Sequence, residues 1–173
     1  MSIAVCLAAL SMLVADRAPD LGVAMQHEIA KSICYASRAY RLNPRILAAY
    51  TLNENGNYDV SLLKPAAVGY DAGIFQVNTA INRGMPLIRY ALNPAVEASL
   101  AAQIIQRNFR EFGYNWVGVA AYWSPQEALN HGRQAIAYFD RWHRHFLEVS
   151  HYFRVAEREL ASIHQITSTG NAK

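Results

Sequence analysis

Residues 43–56 read Asn43-Pro44-Arg45-Ile46-Leu47-Ala48-Ala49-Tyr50-Thr51-Leu52-Asn53-Glu54-Asn55-Gly56. Asn43 suits a helix N-cap, and Pro44 suits the first turn, where a missing N–H costs nothing. Leu47, Tyr50, Thr51 and Glu54 then share one face, and Gly56 offers a stop. The stretch therefore predicts a packed helix whose buried face ends on a carboxylate. Working outward, the same three- and four-residue periods recur. Upstream, Ile29, Ile33, Ala36 and Tyr40 predict a helix over about residues 26 to 42. Downstream, residues 57–71 read as a loop. Asn93-Pro94 repeats the cap signature and opens a helix with Leu100, Ala101, Ile104, Ile105, Phe109 and Phe112 inward, ended by Gly113. A short apolar helix from Asn115 to Trp123 is broken by Ser124-Pro125, and a long one follows from beyond Gly132 to about Ile163. No stretch alternates with a period of two for long enough to predict a sheet, so the fold class is mainly α.

The chain has 173 residues, a length that favours one domain. Hydrophobic residues make up 53% and charged residues 17%, enough apolar material for a core and too little charge for disorder. The 16 Lys and Arg exceed the 13 Asp and Glu by three and are scattered, which argues against nucleic acid as a partner. No Cys/His grouping has zinc-site spacing, so no metal or cofactor is expected. On the last helix Trp142, Phe146, Val149, Phe153, Ala156 and Leu160 form a seam, read as packing within the chain. Arg141, His143, Arg144, His145, Arg154 and Arg158 flank it as a solvated basic face. Residues 162–173 are polar and end in a frayed tail.

Ile3 to Val14 (IAVCLAALSMLV) is too short to span a bilayer but has the length of a signal-peptide core, and Gly22-Val23-Ala24 supplies small residues for cleavage. No Lys or Arg precedes it, so a buried helix is the alternative. The signal reading predicts a leader over 1–24, export to the periplasm, and membrane contact through that segment only. Cys6 then leaves with the leader and Cys34 stays behind as a lone small hydrophobe.

Glu54 is the charge that needs a reason. In the last turn of its helix the negative end of the dipole and an apolar neighbourhood both disfavour ionisation, so its proton is held tightly. Such a carboxyl can protonate a leaving-group oxygen, as glycoside cleavage requires; the plainer alternative is a helix end pointing to water. Further on, Gly73-Ile74-Phe75-Gln76-Val77-Asn78 places two apolar anchors and two amides in one short stretch, suited to hydrogen-bonding sugar hydroxyl and acetamido groups.

In this order the motifs resemble the soluble lytic transglycosylases with a goose-lysozyme-like (SLT) fold. Residues 43–50 are similar to that family's segment leading to its catalytic glutamate, and Glu54-Asn55-Gly56 stands where it has Glu-Ser and a small residue. Residues 73–78 are similar to its Gly-Leu-Met-Gln-Ile-Asn, and Ala121-Tyr122 to the start of its Ala-Tyr-Asn. The resemblance covers about residues 29 to 142. It implies a helical, lysozyme-like domain over 25–145 with a substrate groove, followed by a C-terminal helix and tail over 146–173. It also implies cleavage of the MurNAc-GlcNAc bond of peptidoglycan, with closure of a 1,6-anhydro ring and no cofactor. Glu54 is the expected catalytic residue, and Asn55, Phe75, Gln76, Asn78, Tyr122 and Tyr138 are the expected glycan contacts. The compact size looks most like members serving a secretion, conjugation or pilus machine. Two positions depart from the pattern. Asn55 replaces the serine that supports the glutamate, and Trp123-Ser124-Pro125 replaces Asn-Ala-Gly, with Trp123 read as core in preference to a sugar platform. Two rivals remain: a hydrolytic lysozyme with Asp59 or Asp71 positioning water, and a non-catalytic murein-binding or assembly module.

Overall fold

The computed structural model describes residues 1–66, 68–80 and 92–170, with side chains as far as Ile163. Helices α1 (Ile3–Arg17), α2 (Val23–Ala39) and α3 (Pro44–Glu54) come first. A small antiparallel sheet follows in the order β1 (Leu63–Pro65), β2 (Tyr70–Ala72), β3 (Val77–Asn78). Then come α4 (Pro94–Phe112), the short α5 (Trp116–Ala120) and α6 (Pro125–Leu129), and the long α7 (Arg133–Gly170). The architecture is mainly α, as the periodicity predicts.

The predicted caps form. The Asn43 side-chain oxygen accepts from the Arg45 N–H at 3.0 Å, and that of Asn93 accepts from Ala95 and Val96. Ser124, the predicted helix breaker, caps α6 by accepting from the Glu127 N–H. Helix α3 ends on Glu54, before Gly56, because Asn55 leaves the helical region at φ −153°. The sheet corrects the reading of residues 57–71 as plain loop. Its strands of two or three residues hold too few alternations to register as a period of two.

The N-terminal apolar run is a packed helix, and its cysteine is the larger correction. Cys6, Ala9, Leu10, Leu13 and Val14 of α1 are buried, and the helix packs against both α2 and α7. Cys6 and Cys34 are joined by a disulfide, so neither is a lone thiol. In the folded chain the apolar run thus forms helix α1, whose buried face meets α2 and the seam on α7. Arg17 pairs with Glu148, and Tyr152 donates to Asp16 at 2.6 Å across that contact. On α7 Trp142, Val149, Phe153 and Ala156 are buried, against α1 and α3. The expected boundary between residues 145 and 146 falls inside this one continuous helix, which also runs past Ile163 to Gly170. The end of the tail, 171–173, lies outside the described residues. No helix among the described residues is long and apolar enough to cross a membrane.

Candidate active site

Three neighbouring pieces of chain build the site: the end of α3, the turn between β2 and β3, and the first turns of α7. Because α3 packs along α7, the last residue of α3 meets Tyr138. The Tyr138 hydroxyl donates to Glu54 Oε1 at 2.5 Å, and Asn53 Nδ2 donates to the same oxygen at 3.4 Å. Glu54 is closely surrounded by protein yet keeps a solvent-reached edge. Burial pushes its carboxyl above the usual range; the bonds from Tyr138 and Asn53 and the charge of Lys64 oppose this, and Asp71 adds to it. The direction is that of the sequence argument: a proton held longer than a free glutamate holds it.

Tyr138, Tyr122 and Tyr50 share the acid's surroundings. All three hydroxyls are pushed up, first by burial and next by the Glu54 charge, so all three remain protonated donors. Tyr50 donates to the Val119 carbonyl at 3.0 Å, and its ring lies 4.8 Å from that of Tyr122. Tyr122 donates to the Phe75 carbonyl at 2.9 Å, which ties the end of α5 to the turn at 73–76.

That turn is held from below. Gly73 has φ +69°, and a Cβ there would come within 1.8 Å of Glu97 Oε1, so only glycine fits. Glu97, fully buried on α4, accepts from the Ile74 N–H at 2.9 Å, while its Oε1 finds no partner among the described residues. Burial raises its carboxyl to about 8, against the pull of the Ile74 N–H. Asn55 and Gln76 both donate to the Gly73 carbonyl, at 3.0 and 2.7 Å.

These contacts sort the expected site residues. Glu54 and Tyr138 meet directly. Gln76 is buried, and its Oε1 has no partner among the described residues. Asn55 is corrected from glycan contact to loop clamp: it donates to the Asp59 and Gly73 carbonyls and accepts from the Asp59 N–H, so both amide hydrogens are spent inside the protein. Phe75 is also corrected, its ring being fully buried core. Asn78 bridges the Val68 carbonyl and the Asp71 carboxylate, at 3.2 and 2.9 Å. Trp123, read as core, is 43% exposed. Helix α5 ends at Ala120, and Trp123 lies beyond it, just before Ser124 caps α6.

The sequence reading missed Asn53 and Glu97. Asn53 carries a buried side-chain oxygen next to the acid with no partner among the described residues, but lies off the apolar face by helical phase. Glu97 looks like an ordinary first-turn acid, and only its burial beneath Gly73 marks it. A described cavity of about 700 Å³ lies far from this cluster, between Met1, Cys6, Cys34, Arg38, Arg45 and Glu157. None of the described cavities reaches Glu54. Among the described residues no cluster of three His, Cys, Asp or Glu could hold a metal ion. Comparison of the chain with protein-family models, curated proteins and solved structures finds no match.

Proposed function

We propose that this chain is a peptidoglycan lytic transglycosylase of the lysozyme-like, goose-type class. The observation that carries the reading is Glu54: a largely enclosed carboxyl, its proton held tightly, ending the α3 face and bonded to Tyr138. The motif resemblance adds the substrate. Glu54 donates its proton to the bridging oxygen as the bond from MurNAc C1 to that oxygen breaks. The carboxylate left behind is stabilised by the Tyr138 and Asn53 donors. It then takes the proton of the MurNAc C6 hydroxyl as that oxygen closes on C1, so one carboxyl serves both steps and returns to its starting state. The substrate groove is part of the proposal.

Hydrolysis by a second carboxylate is the alternative with an observation behind it. The Asp71 charge acts on Glu54, and Asn78 donates to Asp71 Oδ1 at 2.9 Å. Asp59 does not support this role, since its carboxylate caps the Ser61 N–H and hydroxyl at 2.9 and 2.6 Å. Export to the periplasm fits the Cys6–Cys34 disulfide, which persists in oxidising compartments. Service to a secretion, conjugation or pilus machine belongs to the same proposal and rests on the resemblance.

Mass spectrometry of muropeptides released from purified sacculi tests the reading. Anhydro-MurNAc ends are expected, and reducing ends would favour the Asp71 route. Glu54→Gln should lower release by at least about 10²-fold with an unchanged melting curve. Full activity in that variant would refute the role, and glycan binding with no released product from the parent would leave a binding module.

A further inference from the structure

Trp123 is a large aromatic left 43% exposed among the described residues. The other tryptophans behave differently: Trp142 is 6% exposed and Trp116 is partly buried in the core. Trp123 sits just past α5, with its backbone N–H donating to the Ala120 carbonyl at 3.1 Å. That ring lies nearly parallel to the ring of Tyr138, at 22° with centroids 6.4 Å apart. Tyr138 in turn holds the Glu54 carboxyl, so one tyrosine connects the exposed indole to the acid. Arg141, one turn further along α7, lies with its guanidinium carbon 5.8 Å from the centre of the Tyr138 ring. Its side chain is exposed and forms no ion pair among the described residues.

We propose that Trp123 and Arg141 form a substrate platform beside Glu54, which takes a pyranose ring on the indole and an acidic substituent of that sugar on the guanidinium. The inference rests on the glycosidase reading above and assigns two residues outside the acid's own contacts to hold its carboxylate-bearing glycan. A pyranose presents axial C–H groups on one face, an apolar surface that an electron-rich indole face can cover. Arg141 offers a planar fork to a carboxylate such as that of a lactyl group or stem peptide. A neutral chitin chain would use the indole alone, and a peptide-bearing murein chain would use both groups.

The test is calorimetric binding to the full chain carrying Glu54→Gln, with two probes: tetra-N-acetylchitotetraose, and a solubilised murein tetrasaccharide with its stem peptides. Adding Trp123→Ala should weaken both by about tenfold, the worth of one stacked ring. Trp123→Tyr should recover most of the loss. Arg141→Gln should weaken the murein probe alone, by about threefold to fivefold for an exposed charge contact. Trp123 is exposed, so melting curves of these variants should overlay. Unchanged binding after Trp123→Ala, with the parent binding normally, overturns the platform and leaves the glycosidase reading standing. Equal effects of Arg141→Gln on the two probes overturn the assignment of the acidic substituent. A parent that binds neither probe removes the platform and the glycosidase reading together.

Discussion

The Glu54 carboxyl has two opposing influences, and their difference sets its chemistry. Burial alone favours the neutral form, and a group held in that form donates a proton but does not readily take one back. Tyr138 supplies the correction by donating to Oε1, which favours the carboxylate. Tyr138→Phe should therefore shift the alkaline limb of the pH–rate profile to higher pH, because the protonated acid then persists further up the scale. The same change should lower kcat by removing a donor that stabilises the carboxylate after proton transfer. A profile that keeps its limb in place would show that Tyr138 only packs against the acid. At this scale the sequence was informative about identity and poor about environment. Glu54 stood out because a helical face led to it. That Asn55 spends half of its amide on the Gly73 carbonyl, eighteen residues away, and that Phe75 is core, depended on the tertiary fold.

Among the elements, the turn between β2 and β3 depends on α4 for its shape. Glu97 reaches up from the first turn of α4, accepts from Ile74, and fills the space beside Gly73. The folded chain holds the Glu97 proton up to about pH 8, whereas the unfolded chain releases it near 4.5. Between those values the native state carries a proton that the unfolded state has lost, so this group's contribution to stability falls as pH rises and levels off above 8. Melting temperatures taken across that window should decline in the parent, and Glu97→Gln, neutral throughout, should flatten the decline. A parent and variant with parallel pH dependence would place the proton elsewhere. Element types and caps were legible because they rest on local signals: Asn-Pro twice, Ser before Pro, and three- and four-residue apolar steps. The short strands were not, since pairing such as Leu63 with Ala72 is decided by the partner and not by an alternating pattern.

In the whole molecule the long seam of α7 organises the rest, with α3 on one part and α1 on another. The Cys6–Cys34 disulfide fastens α1 to α2 and closes a separation of 28 residues, which is worth roughly 3.5 kcal/mol in the chain-entropy account. Cys6→Ser with Cys34→Ser, or reduction of the parent, should lower the melting temperature by several degrees; identical curves with and without reductant would show that the bond carries no such load. The sequence by itself determined the mainly α class, the capped helix boundaries, the apolar seam and the position of one misplaced acid, because each is written in residues within a turn or two of one another. Only the tertiary structure decided that the apolar N-terminal run is core, that its cysteine has a partner, that Tyr138 meets Glu54 and that Trp123 faces out. Those facts depend on which surfaces meet when helices distant in sequence bury a common apolar face, and no local period encodes that choice.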